Sequence, residues 1–312
     1  MNLKIYNRQG VVDGVDKATA VTVGVFDGVH RGHRQLLQQL ANLNPQYSTL
    51  IVTLTAHPSF VLGRRKSEYW LDDPEEHLRL LFDTGVDYIA VLPFTQEVAQ
   101  MSACQMARQL FEQLGMRHLL LGYDSRFGSK QHDDFDQLPQ LAQELGFTIQ
   151  RGEPYLVDGS PISSSRIRTT LEDGRVNDTA TLLGRPYSVS GTVEHGRGVG
   201  HVLGFPTANI NLSDTRKMLP KEGVYAVTLT ALRSPHSSYL GIANLGAAPT
   251  FGVEQRLLEV HLLDFEGDLY EQPVEVAFLQ RLRDILTFDS PEALQTQLKH
   301  DLNACRELCK KN

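Results

Sequence analysis

The chain has 312 residues, a formal charge of −7, and 41% hydrophobic and 21% charged residues. That length suits about two domains, and the balance is that of a soluble globular protein. The densest basic cluster, Arg64, Arg65 and Lys66, is short, which with the negative charge argues against a nucleic-acid partner, since neutralising a phosphate backbone takes a basic patch.

The opening run MNLKIY lacks the apolar centre of a leader peptide, and no stretch reaches bilayer-spanning length, so a cytoplasmic protein with no membrane partner is expected. Cys104, Cys305 and Cys309 have neither disulfide-framework nor zinc spacing, which implies reduced thiols. From residue 20 to about 152, strand-like and helix-like segments alternate. Strands are expected at 21–26, 49–54, 88–92, 118–121 and 148–151, and helices at 34–43, 74–84, 102–114 and 138–145. Ser102 suits an N-cap, and Gly115 and Gly146 suit helix stops. The alternation predicts an α/β domain with a doubly wound parallel sheet, whose ligands sit at the carboxyl ends of the strands.

The first of those ends carries GVFDGVHRGH, residues Gly24 to His33. His30 and His33 are three apart at the mouth of a helix, beside N–H groups with no intrahelical partner. A helix N-terminus favours an anion, and two imidazoles add donors that suit phosphate oxygens. Two more loops fall on the same edge: TLTAHP (Thr53 to Pro58) after the second strand and GYDSRFG (Gly122 to Gly128) after the fourth. SSSRIR, Ser163 to Arg168, opens a further helix with three hydroxyls and two guanidiniums. No Gly-x-x-x-x-Gly-Lys-Ser/Thr loop is present.

The motif GRP, Gly184 to Pro186, closes that helical stretch, so a domain boundary is expected between residues 185 and 186. Short strands with Gly and Pro turns follow at 187–193, 223–230, 239–244, 257–264 and 274–278, the texture of an antiparallel β-barrel. A closing helix is expected at 291–308, capped by Ser290. GRGVG (Gly196 to Gly200) is no dinucleotide loop, because His201 stands at the third glycine position and an extended segment follows. Thr207 and Asn209 project to one side of that segment as hard oxygen donors. Glu259 lies opposite the apolar face formed by Leu258, Val260 and Leu262.

The histidine turn is similar to the His-x-Gly-His motif of the nucleotidyltransferase superfamily. Together with the loops at 53–58, 122–128 and 163–168, it resembles the adenylyltransferase module of bacterial bifunctional riboflavin kinase/FAD synthetases over about residues 15 to 185. GFPTAN (204–209), GVY (223–225), NLG (244–246), PTFG (249–252), EVHLLD (259–264) and DLY (268–270), in that order, resemble riboflavin kinase over residues 186–312. The resemblance implies phosphorylation of riboflavin to FMN in the barrel and adenylylation of FMN to FAD in the first domain, with ATP and Mg2+. It assigns transition-state stabilisation to His30 and His33, and proton acceptance to Glu259. ATP and phosphate binding would fall to Gly24, Phe26, Asp27 and Gly32, to Ser163, Ser164, Ser165 and Arg166, and to Gly198 and Gly200. Flavin binding would fall to His57, Pro58, Asp124, Arg126 and Phe127, and metal binding to Thr207 and Asn209. Partners would be small molecules, with the chain a monomer or weak homo-oligomer.

The pattern is departed from at Ser125, where an aromatic is common, and at Lys130 to Asp133, His201, Glu271 and Arg283 to Phe288. Two other readings stand beside the bifunctional one: a riboflavin kinase with a weak or lost adenylyltransferase, and a non-catalytic flavin- or nucleotide-binding protein.

Overall fold

A computed structural model describes residues 1–54, 69–129, 133–196, 204–233, 238–247 and 256–309. It divides the chain into a first unit, Met1–Ser164, and a second, Ser165–Asn312.

Five parallel strands make the centre of the first unit: β3 (Thr19–Gly24), β4 (Ser48–Leu54), β5 (Tyr88–Leu92), β6 (Met116–Leu121) and β7 (Thr148–Arg151), side by side as β5-β4-β3-β6-β7. Helices α1 (Arg31–Asn42) and α2 (Pro74–Phe82) set Leu36, Leu37, Leu40, Leu80 and Leu81 against Ile51, Ile89 and Leu120 of the sheet. After the short α3 (Gln96–Gln100), α4 (Ala103–Leu114) and α5 (Leu138–Leu145) pack on a second core cluster with Val21, Leu50, Val52 and Leu119. A sheet covered on both faces needs strands that are apolar throughout, which explains the fully buried run Thr19 to Thr22 of β3. The doubly wound architecture is the expected one.

The edge differs from a purely parallel sheet. A hairpin of β1 (Lys4–Asn7) and β2 (Gly10–Val12) adds antiparallel to β5. Its strands are short, and only Ile5 is buried, so they carry no periodic signal.

Helix ends follow local chemistry. Ser102 Oγ accepts from Gln105 N–H at 3.2 Å and the Gln105 side chain returns to Ser102 N–H at 3.0 Å, a reciprocal cap worth about 1 kcal/mol. Gly115 and Gly146 stop α4 and α5 at φ 59° and 77°. The strand order reverses at β3, so the carboxyl end of β3 opens the crevice in which such sheets hold ligands.

Late in the first unit, β8 (Leu156–Val157) and β9 (Ser160–Pro161) pair antiparallel; α6 (Ser164–Glu172), in the second unit from Ser165 on, and α7 (Val176–Leu183) precede the barrel. By compactness the chain divides at Ser164, and α7 packs on barrel strands. Those strands are β10 (Tyr187–Glu194), β11 (Ala208–Asn211), β12 (Gly223–Ala231), β13 (Ser238–Ala247), β14 (Arg256–Leu262) and β15 (Pro273–Arg283). They close antiparallel as β10-β11-β14-β13-β12-β15 around fully buried Tyr187, Tyr225 and Phe278. Helix α8 (Pro291–Cys309) starts where Ser290 Oγ accepts from Ala293 N–H and packs against β13. Buried Cys305 and the pairing of Asp301 with Arg283 at 2.7 Å fasten it to the barrel. Glu271 takes a left-handed φ of 59°.

Candidate active sites

In the first unit, β3 stops at Gly24 instead of running to Phe26, because Phe26 adopts φ 54° and leaves the ladder. Gly28 (φ 85°) and Val29 (φ 34°) complete a tight turn closed by Val29 N–H to Phe26 C=O at 2.9 Å. Left-handed conformations at Phe26 and Val29 each cost of order 1–3 kcal/mol, and such strain persists where surrounding contacts enforce it. Gly24 is needed at the entrance: a Cβ there would lie 3.0 Å from the Phe26 ring.

The turn delivers His30 as the N-cap of α1, which therefore begins at Arg31 rather than residue 34. His30 Nδ1 accepts from His33 N–H at 3.3 Å, so a neutral His30 ring carries its proton on Nε2 as a donor. The two rings stack at 3.5 Å between centroids, and Phe26 meets His33 edge-on at 5.2 Å. A Cβ on Gly32 would press on His30 Nδ1 at 3.2 Å. Burial holds the His33 imidazole well below its ordinary value of 6.5, helped by nearby His30 and His77. His33 Nδ1 is buried with no hydrogen-bond partner among the described residues.

This depression has a sign that can be measured. The unfolded chain binds more protons below about pH 6.5, so His33 contributes stability in full above that value and loses it as pH falls toward the folded value. An NMR titration of the full-length chain is expected to find the His33 ring still neutral at pH 6.5; half-protonation there would contradict the burial argument.

The other candidates on this edge divide. Asp27 is buried at 1% exposure, and its Oδ1 accepts from Leu71 N–H at 2.8 Å, so one carboxylate oxygen shapes the turn. Ser164 Oγ donates to Asp27 C=O at 2.9 Å, while Ser163 is half-buried. Ser165 and Arg166 fall in the second unit, at the start of α6. Asp124 and Arg126 are exposed, whereas Phe127 is buried in the core and does not face solvent. His57 and Pro58 lie outside the described residues.

Three residues that carried no signal in the sequence appear beside these. Asp72 Oδ2 accepts from Gly28 N–H at 2.8 Å and lies 3.3 Å from His77 Nδ1; His77 Nε2 lies 3.2 Å from Thr53 Oγ1. Arg151, at the end of β7, donates to Gly122 C=O and Ser125 C=O at 3.3 and 3.4 Å, holding the turn that exposes Asp124. Nothing local marks such contacts, since the first joins positions 44 apart.

In the barrel, Glu259 is half-buried on the outer face of β14, between the fully buried Leu258 and Val260. Its register partners are Asn209 on β11 and Asn244 on β13, which makes a polar row across three strands. Asn244, part of the NLG motif, is the member to which the sequence assigned no role. Directly opposed residues in antiparallel strands share a face at ~4.5–5.5 Å between Cβ atoms, so both carboxamides flank the carboxylate. His261 shares that face, and its Nδ1 donates to Pro206 C=O at 2.8 Å. Phe205 meets the same ring edge-on at 5.4 Å. These contacts tie down the segment that ends in half-buried Thr207. Gly198 and Gly200 lie outside the described residues.

Gly196 is the other constraint, since a Cβ there would overlap the Asn209 carboxamide. Gly196→Ala is expected to lower the activity of a site centred on Glu259 about tenfold, by displacing one positioned group, without lowering the thermal midpoint. Steady-state kinetics and a melting curve check both halves.

A histidine-lined turn at the switch point of a doubly wound sheet, and a carboxylate between carboxamides on a closed barrel, define a two-unit protein suited to phosphate chemistry. A family model described as FAD synthetase matches residues 13–166, and one described as riboflavin kinase matches residues 183–309. The bifunctional riboflavin kinase/FMN adenylyltransferase of Escherichia coli (strain K12) is 35% identical over 290 residues, covering 92% of this chain and 91% of that protein. The protein of the same description from Pseudomonas fluorescens is 34% identical over 307 residues, covering 94% and 93%. A Streptococcus pneumoniae crystal structure described as a macrolide-efflux protein superimposes with a TM-score of 0.83 at 30% identity, over 96% of this chain and 97% of that one. Among the described residues, no helix is long and apolar enough to cross a membrane. The chain belongs to the bifunctional riboflavin kinase/FMN adenylyltransferase family.

Proposed function

We infer that this chain makes both flavin nucleotides: the second unit phosphorylates riboflavin to FMN with ATP, and the first adenylylates FMN to FAD with release of pyrophosphate. The observation that carries this reading is the coexistence of two separately built sites, the stacked His30–His33 cap in one unit and the Asn209–Glu259–Asn244 row in the other.

In adenylyl transfer, an oxygen of the FMN phosphate attacks the α-phosphorus of ATP and the bond to the β-phosphate breaks. The nucleophile is already anionic, so no base is required. What the site supplies is position and stabilisation of charge on the departing pyrophosphate. His30 Nε2–H and the His33 ring are suited to follow that charge, at the N-terminal end of α1, where the helix dipole favours an anion. Gly24, Phe26, Asp27 and Gly32 shape the pocket for ATP. Ser163, Ser164, Ser165 and Arg166 hold phosphates, while His57, Pro58, Asp124, Arg126 and Phe127 belong to the flavin side. The hydroxyl and amide contacts of Ser164 and Asp27 support the first group.

In the barrel, the ribityl hydroxyl attacks the γ-phosphorus of ATP, ADP leaves, and Glu259 receives the hydroxyl proton. A carboxylate is too weak to ionise an alcohol beforehand, so the proton moves late and alignment supplies most of the acceleration. Thr207 and Asn209 offer hard oxygen donors suited to magnesium, and Gly196 leaves the Asn209 carboxamide its room. Thr207 and Asn209 would hold that ion, which when bound neutralises ATP phosphates. Gly198 and Gly200 would let the backbone approach the nucleotide.

The same reading takes the chain as a cytoplasmic monomer or weak homo-oligomer acting on small molecules, without nucleic acid, with functional domains 1–185 and 186–312. ATP labelled separately at its γ- and α-phosphorus tests the chemistry. Label from the γ position is expected in FMN and FAD, and label from the α position in FAD alone. Appearance of α-label in FMN would contradict the assignment.

A further inference from the structure

Against the histidine turn lies a pair, buried Asp72 and part-buried His77, that no part of the two mechanisms uses. Asp72 is 3% exposed, and one of its oxygens, Oδ2, meets both Gly28 N–H at 2.8 Å and His77 Nδ1 at 3.3 Å. A carboxylate only accepts, so it fixes the His77 proton on Nδ1 and aims Nε2 at the Thr53 hydroxyl, 3.2 Å away. Nε2 then carries no proton, so it and Val25 C=O, each 3.2 Å from that hydroxyl, share its single proton as a bifurcated donor. The segment at 71–72 is clasped in return, because Asp27 Oδ1 takes Leu71 N–H.

The consequence is mechanical. The turn from Val25 to His30 contains two left-handed residues that are not glycine, Phe26 and Val29, and would relax if released. Asp72 pins its middle at Gly28, and His77 with Thr53 pins its start at Val25. His30, two residues beyond Gly28, inherits its position from both pins. We propose that Asp72 and His77 are positioning residues for adenylyl transfer, holding the histidine turn in its strained form through Gly28 and Thr53. This rests on the adenylyl-transfer reading of the first unit.

The test uses full-length Asp72→Ala, Asp72→Asn and His77→Gln, with FAD formation measured from supplied FMN and ATP, and FMN formation from riboflavin measured on the same preparations. A misplacement of about 1 Å costs up to ~100-fold in rate. The expected result is a 10- to 100-fold fall in kcat for FAD formation in Asp72→Ala, with the KM for ATP within threefold of the parent and the riboflavin kinase rate at parental level. Asp72→Asn keeps an acceptor for Gly28 N–H and is expected to lose less than Asp72→Ala. His77→Gln is expected to lose about tenfold in kcat, and carries the test should Asp72→Ala fail to fold. FAD-forming kcat within threefold of the parent, a change confined to KM, or an equal fall in both activities would overturn the proposal. A parent protein that makes no FAD at all would instead overturn the adenylyl reading itself.

Discussion

Glu259→Gln in the full-length chain is expected to lower FMN formation from riboflavin by roughly 10²–10⁴-fold, the usual contribution of a positioned proton acceptor. Conversion of supplied FMN to FAD should continue at the parental rate. Glutamine keeps the size of the side chain and a polar end between Asn209 and Asn244, its register partners, so the barrel loses no packing. What it loses is the capacity to take the ribityl proton. Because the substitution lies in the second unit and the histidine turn in the first, the two rates separate in one preparation. An equal fall of both would mean that the chain does not carry two independent sites.

The converse is expected of His30→Ala: FAD formation falls by roughly 10²–10³-fold, as when one preorganised donor is removed from a site of developing charge, and FMN formation is retained. His30 has two functions, however, since its Nδ1 also caps α1 by accepting from His33 N–H. Alanine removes both. His30→Asn separates them, because asparagine is among the best N-caps yet has no imidazole to follow phosphate charge. Both variants are expected to lose FAD formation to a similar degree, while His30→Asn keeps the thermal midpoint nearer to the parent. Full FAD synthesis by His30→Asn would reduce the histidine to a cap.

Several elements follow from short-range pattern alone. Strands β5 and β7 and helix α5 begin and end at the residues their periodicity predicts, and Ser102, Gly115 and Gly146 take their expected capping places. Boundaries shift where a functional turn overrides propensity. Phe26 is aromatic enough to extend β3, yet its left-handed φ ends the strand at Gly24. Strand β11 was hidden by the Pro and Gly that precede it; its pairing with β10 and β14 supplies what the local sequence lacks.

The candidate site residues show the same division. His30, His33 and Glu259 stand out because their residue types are unusual at a helix mouth and a strand face. Asp72, His77 and Arg151 do not, because their partners are distant in sequence and each read alone is an ordinary polar residue near an element end. The burial of Phe127 in the core is likewise not marked by the polar loop around it.

Incubation of the purified chain with riboflavin, ATP and magnesium, followed by chromatographic resolution of the three flavins, tests the central claim most directly. FMN should appear first and FAD should then accumulate at its expense. Riboflavin left unchanged, or FMN that accumulates with no FAD, would contradict it.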